Sequence, residues 1–357
     1  MLNYPGAVPC RFIGFGHTVL DARYCVTNEQ LAHRFLDHYL DQKERAEFIA
    51  QLALTHPGED PIAVMDKKLF DVAGIRSRYI TSDLSVEDLG AQAAAMAMRH
   101  AHITADQVDA MYVGRNTGTQ YPSTAIGIKR RLSLPVGALT RDVQDACVGG
   151  IAALESACDR VWSGRAKIAI AVGVDRASEL GPKNDWSRIN IFGDGGGAVV
   201  VQAGNQSEQE NVLQTDFSSD PFDGKDEYIV RTETGFLQRG RKVHEFVGTV
   251  MPRRIKEFVS ASTISPTDIR QVFCHQPSWK TFTLLRDRVM NTAPEYAGWN
   301  WHTNVETHGN MSAACVLWLM SHAIHHGLVA PEDPCLSVAF GSGMADGMIL
   351  WRYMPTT

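Results

Sequence analysis

The stretch that decides the reading runs from Asp142 to Ala157, DVQDACVGGIAALESA. A short extended run, Leu139 to Val143, gives way here to a small-residue helix, and one cysteine, Cys147, stands at the junction. A lone cysteine in such a helix is by default a small buried hydrophobe. Its position argues the other way. Helix starts leave N–H groups unpaired and carry partial positive charge. A thiol placed there is expected to have a lowered pKa and to be a better nucleophile. Gly149 and Gly150 let backbone or substrate come close.

Two further stretches extend this chemistry. In Cys274-His275-Gln276-Pro277 the strand-like VFCHQ ends at proline, which leaves His275 at a loop edge where functional side chains are often held. A core histidine satisfied by hydrogen bonds is the plainer alternative. In His308-Gly309-Asn310-Met311-Ser312 the asparagine fits an N-cap equally well. Together Cys147, His275 and Asn310 suit thioester chemistry: a thiolate takes an acyl group, and two hydrogen-bond donors hold a second carbonyl oxygen that gains charge. The same residue types occur in cysteine proteases, but papain-like enzymes use a different local cysteine motif.

Outward from this set, strand-like and helical runs alternate, so the class is α/β. Ser85-Val-Glu-Asp88 is a capping-box pattern before the alanine-rich LGAQAAAMAMRHA helix. Met111 to Val113 reads as a strand and Ser123 to Leu132 as a helix. KIAIAVGV (167–174) and AVVVQ (198–202) read as buried strands. Glu208 to Arg241 is polar, rich in Asp and Gly, and reads as irregular.

Phe192-Gly-Asp-Gly-Gly-Gly-Ala-Val-Val-Val201 and Phe340-Gly-Ser-Gly-Met-Ala-Asp-Gly-Met-Ile-Leu350 are weak copies of each other. Each follows a small-residue helix opened by a polar or reactive side chain, Cys147 in one case and Asn310 in the other. Two such similarities in the same order predict a duplication, with halves at residues 1–204 and 205–357. Residues 28–73 fall outside the repeat. Their helical spacing of Leu31, Phe35, Leu40, Phe48 and Leu52, ending in the loop THPGED, predicts one or two surface helices forming a cap.

Bulk properties narrow the class. A chain of 357 residues calls for two domains or one large two-part domain. The net charge of −6 argues against general nucleic-acid or anionic-membrane binding. Seven cysteines without a Cys-x-x-Cys pair argue against a disulfide framework and for a reducing cytoplasm. The start MLNYPGAVPCRFIGFG lacks a signal-peptide pattern, and no apolar run reaches the roughly 18 residues of a membrane span. His322-x-x-His325-His326 lacks an HExxH pattern or a second cluster, so no metal is assigned. Gly14-Phe-Gly16 and Gly193–Gly197 are poor phosphate-loop candidates; turns in a packed core explain them better.

With these motifs in place, the sequence resembles the β-ketoacyl-acyl carrier protein synthase III family of the thiolase-like superfamily. GIRSRYI (74–80), TQYPSTA (119–125), DVQDACVGG, IFGDGGGAVVV, CHQPSWK, HGNMSAA and AFGSGMADGMILWRY follow in the family's order. The resemblance implies doubled βαβαβαββ halves in a five-layered α-β-α-β-α fold. It implies that Cys147 is acylated by a thioester, with backbone N–H groups of Cys147 and Ser342 holding the oxyanion. His275 and Asn310 would bind the thioester carbonyl of a malonyl-type extender on acyl carrier protein, which loses carbon dioxide and attacks the acyl-cysteine. No cofactor is implied. Tyr121 matches a position near the acyl pocket and dimer interface, so a homodimer is implied. Lys280 resembles a basic position that docks the acidic carrier protein.

The sequence departs from the family at Ser278, which stands where an asparagine helps hold the pantetheine arm. The tryptophan and arginine that grip the adenine of coenzyme A are not evident. These departures point to a specialised synthase that takes its acyl group from a carrier protein or an unusual thioester, in fatty-acid or secondary metabolism. Competing readings are an acyltransferase of the same fold, a non-decarboxylating condensing enzyme, for which no base is evident, and a non-catalytic subunit. The last is disfavoured by the presence of Cys147, His275 and Asn310.

Overall fold

Two five-stranded sheets carry the chain, and they share one strand order. The computed structural model describes residues 8–119, 121–180, 191–205, 210–219, 229–232, 235–238 and 240–355. Its strands are β1 (Cys10–His17), β2 (Cys25–Thr27), β3 (Ser77–Tyr79), β4 (Ala110–Gly114), β5 (Leu139–Val143), β6 (Ile168–Arg176) and β7 (Asp194–Ala203), followed by β8 (Val212–Ser219), β9 (Ile229–Thr232), β10 (Gly235–Gln238), β11 (Gln271–Cys274), β12 (Asn300–His302), β13 (Pro334–Phe340) and β14 (Ala345–Arg352).

The first sheet runs β1-β7-β6-β4-β5 and the second, read from its other edge, β8-β14-β13-β11-β12. In each, the first strand pairs antiparallel with the last, and the remaining neighbours are one antiparallel pair followed by two parallel pairs. The repeat seen between the Phe192 and Phe340 stretches is thus a repeat of strand position: β7 and β14 occupy equivalent places.

Three helical layers complete the fold. In the first part of the chain the helices are α1 (Asn28–Arg34), α2 (Gln42–Thr55), α3 (Pro61–Ala73), α4 (Val86–His100), α5 (Thr124–Leu132) and α6 (Gly149–Trp162). Between the sheets, α6 and the helix Cys315–His325 share one core with residues of both sheets, among them Leu154, Leu317, Val199 and Ile349. Outside the first sheet, α4 and α5 bury Leu89 and Ile128 against Val172 and Val200. Outside the second, helices Met251–Ser260 and Trp279–Met290 bury Ile255 and Leu285 against Val272 and Leu350. The result is the five-layered α-β-α-β-α thiolase-like arrangement.

Local chemistry sets the key boundaries. Ser85 and Asp88 form the predicted capping box, with Asp88 N–H donating to Ser85 Oγ at 3.1 Å and Ser85 N–H to Asp88 Oδ2 at 2.8 Å. Such a cap is worth about 1 kcal/mol. The glycines at 195–197 lie inside β7 rather than in a turn. At Gly197 an added Cβ would lie 2.2 Å from the Trp318 nitrogen, so the absent side chain is what lets the central helix rest on the sheet.

Two expectations need correction. Glu208–Arg241 was expected to be irregular, yet its described residues form β8, β9 and β10. β8 is an edge strand whose residues are mostly half-buried, a setting that tolerates polar side chains and hides the strand pattern. Residues 208, 209, 220–228, 233, 234 and 239 of that region, Gln120 of TQYPSTA, and the first seven residues lie outside the described ones. The segment 28–73 holds three helices rather than one or two. They enclose a small core of their own from Phe35, Leu36, Leu52, Val64 and Met65, with the Phe35 and Phe48 rings 5.5 Å apart. No helix among the described residues is long and apolar enough to cross a membrane.

Candidate active site

Cys147 sits where β5 hands over to α6, inside a 3-10 turn, Ala146–Val148. Ala146 has φ 44°, a left-handed conformation that costs a non-glycine residue about 1–3 kcal/mol and persists only when its surroundings enforce it. The turn lies against the loop after β13: a Cβ added to Gly341 would meet Cys147 N at 3.0 Å. That contact brings the backbone around Ser342, which opens the turn Ser342–Met344, to the nucleophile's side.

The expectation of a lowered thiol pKa does not hold in this state. Burial pushes the Cys147 thiol up to about 12, and the carboxylates of Asp175 and Asp145 add to the rise. A hydrogen bond with Ser312, Sγ to Oγ 3.7 Å, works in the opposite direction. Desolvation of the charged form is the largest of these influences, and a helix start read from sequence does not reveal it.

His275 follows β11 and is 1% exposed. Its backbone N–H donates to Val338 O at 2.8 Å, which fixes the chain as it leaves the strand. Burial lowers its pKa to about 3, so the ring is neutral at neutral pH. Nδ1 has no partner among the described residues, and the edge of the Phe340 ring closes one side. Gln276, fully buried, anchors the segment after β12 by accepting from Thr303 Oγ1, Asn304 N and Val305 N.

Asn310 is 4% exposed. Its backbone N–H donates to Ile191 O at 2.6 Å, and its Oδ1 accepts from Ser312 N–H at 2.8 Å. A backbone N–H can only donate, so this bond also decides which way the amide faces: the oxygen is held back and the NH2 group is left to serve as a donor. Ser312 has φ 50°, the second strained non-glycine residue of the site.

Residues that the sequence reading passed over hold this together. Asp175, fully buried at the end of β6, accepts from Asn116 N at 2.7 Å, Thr117 N at 2.8 Å and Thr117 Oγ1 at 2.8 Å through Oδ1. Its Oδ2 accepts from Asn116 Nδ2 at 3.0 Å and Ala313 N at 3.1 Å. One carboxylate thereby ties the loop after β4 to the turn after Asn310. Signals existed: a carboxylate ending a buried strand in VGVD, and polar residues just past a strand in GRNTG.

The other predicted residues are spread more widely. Ser278 caps the helix Trp279–Met290, its Oγ accepting from Thr281 N at 3.2 Å. Lys280 is exposed one residue into that helix. Tyr121 is 92% exposed on the turn before α5, so it does not wall a pocket of its own chain. His322, His325 and His326 stack in a larger group of rings with His17, His100 and Trp318, and among the described residues no group of three or more His, Cys, Asp or Glu is arranged to hold a metal ion.

Comparison with known proteins follows the same lines. A family model described as 3-oxoacyl-[acyl-carrier-protein (ACP)] synthase III matches residues 141–221, and its C-terminal counterpart matches residues 259–353. The chain is 30% identical over 300 residues to a β-ketoacyl-[acyl-carrier-protein] synthase III of Thiobacillus denitrificans, covering 81% of this chain and 91% of that one. A Streptomyces coelicolor protein named β-ketoacyl-[acyl-carrier-protein] synthase III 4 is 30% identical over 274 residues, 76% of this chain and 85% of its own. The crystal structure of 3-oxoacyl-(acyl carrier protein) synthase III from Pseudomonas aeruginosa PAO1 superposes with TM-score 0.80 at 25% identity, covering 98% of this chain and 99% of that one. The priming β-ketosynthase of the R1128 polyketide pathway shares the fold with TM-score 0.80 at 22% identity, over 99% of this chain and 98% of its own.

Proposed function

The chain belongs to the β-ketoacyl-[acyl-carrier-protein] synthase III family, and on that premise we propose that Cys147, His275 and Asn310 carry out its condensation. It is a ketosynthase III-type acyltransferase. The observation that carries the residue assignment is the meeting, between the two sheets, of a nucleophile turn and a donor asparagine through Ser312.

Cys147 sulfur attacks the carbonyl carbon of an acyl thioester. The oxyanion of that step rests on the backbone N–H groups of Cys147 and Ser342, and the departing thiol takes the proton. A malonyl-type thioester on acyl carrier protein then enters. The amide of Asn310 and the neutral ring of His275 donate to its thioester oxygen. The bond to its carboxylate breaks, carbon dioxide leaves, and the electron pair becomes an enolate. That enolate attacks the acyl carbon, and the C–S bond to Cys147 breaks to release the β-ketoacyl product. Both donors act on charge that appears in the transition state, so their effect belongs in kcat. A neutral, buried His275 suits a donor and makes a poor general base.

The remaining assignments belong to the same proposal. Exposed Lys280 supports docking of an acidic carrier protein, and exposed Tyr121 supports a homodimer in which it serves the partner's pocket. Ser278, engaged in capping, supports a pantetheine entrance unlike one lined by asparagine, and with it a carrier-protein or unusual thioester starter. The shared strand order supports halves at 1–204 and 205–357, with 28–73 as an added cap. Seven free cysteines support a cytoplasmic protein.

The test is condensation followed by release of labelled carbon dioxide from a malonyl-carrier protein. His275→Ala and Asn310→Ala are each expected to lower kcat by about 10²–10³ while leaving acylation of Cys147 in place. Equal loss of acylation and condensation would refute the division of labour.

A further inference from the structure

The thiol of Cys147 is held in a site that resists its ionisation, and the structure also contains a device that works against that resistance. Asn116 Nδ2 lies 2.9 Å from Ser312 Oγ, 3.0 Å from Ala146 O and 3.0 Å from Asp175 Oδ2. A carbonyl and a carboxylate can only accept, so the group facing them is the NH2 and the amide cannot be turned over. That nitrogen has two protons for three neighbours and accepts nothing, so on the Asn116 side there is no acceptor for the hydroxyl of Ser312. The single proton of that hydroxyl remains for Cys147 Sγ, 3.7 Å away. A thiolate has no proton of its own, so once Cys147 ionises this hydroxyl is the donor in the pair.

The same amide also braces the two strained residues of the site. Ala146, directly before Cys147, and Ser312, two residues after Asn310, both have left-handed φ, 44° and 50°. Asn116 binds the carbonyl of the first and the hydroxyl of the second, and its own backbone N–H is fixed on buried Asp175.

We propose that Asn116 is a positioning residue that acts through Ser312, orienting the Ser312 hydroxyl as the hydrogen-bond donor that stabilises the Cys147 thiolate. This rests on the reading of Cys147 as the nucleophile. Asn116 bears on the sulfur through the Ser312 hydroxyl, and on the backbone beside it through the Ala146 carbonyl.

Alkylation of Cys147 by iodoacetamide, read by intact mass between about pH 6 and pH 10.5, tests this without any acyl substrate. Ser312→Gly removes the hydroxyl while suiting the left-handed backbone. It is expected to displace the log-rate profile upward by about one pH unit, a tenfold loss at any given pH. Asn116→Ser is expected to displace it part of that way. In the Ser312→Gly background Asn116→Ser should displace the profile by less than it does in wild type, because the hydroxyl path is already cut and only the Ala146 contact remains to be lost. Should Asn116→Ser fail to fold, Ser312→Ala, against Ser312→Gly, still reads the hydroxyl. An unmoved profile in both serine variants would overturn the proposal, and so would additive displacements, which would mark two separate packing effects. Failure of Cys147 to accept any acyl group while alkylation behaves as described would instead strike at the proposed function.

Discussion

Asp175→Asn is the sharpest perturbation of the frame. The carboxylate takes five hydrogen bonds: three at Oδ1, from Asn116 N, Thr117 N and Thr117 Oγ1, and two at Oδ2, from Asn116 Nδ2 and Ala313 N. Asparagine has nearly the same shape, so packing is preserved and only the acceptor count changes. If its oxygen keeps the three-donor side, its NH2 faces Ala313 N–H, which loses its partner, and Asn116 Nδ2, which keeps Ala146 O and Ser312 Oγ. Hydrogen bonds to a charged group are worth about 1.5–3 kcal/mol each, so the one orphaned donor predicts a destabilisation of about 1.5–3 kcal/mol. Urea unfolding followed by tryptophan fluorescence reads this directly. The same change releases the turn after Asn310, so Cys147 acylation should slow as well. A stability loss below about 1 kcal/mol with an unchanged acylation rate would refute the claim that Asp175 ties the two loops together.

Three other outcomes follow from the same geometry. Gly150→Ala would drive a Cβ to within 2.1 Å of Ala313 O, a backbone atom that cannot swing aside. Overpacking of this kind costs about 1–3 kcal/mol or more, and because it separates the Cys147 helix from the Asn310 turn it should lower kcat more than it lowers Tm. Acid should destabilise the fold through His275, whose pKa falls from 6.5 to about 3 on folding. The unfolded chain then binds the extra proton, so this contribution is complete above about pH 6.5 and is lost as pH drops toward 3. The linkage amounts to about 2 kcal/mol between pH 7 and pH 5. A urea midpoint that does not fall across that interval, or that fell equally in His275→Gln, would contradict it. Lys280→Glu should raise KM for a carrier-protein thioester and leave iodoacetamide alkylation unchanged; an unaltered KM would remove Lys280 from the docking surface.

Much of this architecture was legible because periodicity and spacing encode it. The Ser85 box, the Met111 strand, the Thr124–Leu132 helix and the buried runs at 168–174 and 198–202 all carried local signals that packing did not override. The paired Phe192 and Phe340 stretches revealed the repeat because β7 and β14 hold the same place in the two sheets. β8 escaped notice because an edge strand with half-buried residues lacks clean alternation. At the site, the DACVGG and HGNMS stretches marked Cys147 and Asn310, but the ionisation state of the thiol was misread. A helix start is visible in sequence, whereas enclosure of the sulfur and the nearness of Asp175 are products of the fold. Asn116 lies 31 residues before Cys147 in the chain and only 3.0 Å from its neighbour Ala146, a closeness that no local pattern announces.

The central claim is that Cys147 carries the acyl group between two thioesters. Intact-protein mass spectrometry tests it most directly, with wild type and Cys147→Ala incubated with a panel of acyl-coenzyme A and acyl-carrier-protein thioesters and then with a malonyl-carrier protein. The account predicts an acyl adduct on wild type alone, formed faster from a carrier protein than from coenzyme A, and discharged by the malonyl donor with release of carbon dioxide. An adduct that persists in Cys147→Ala, or one on wild type that no malonyl donor discharges, would contradict it.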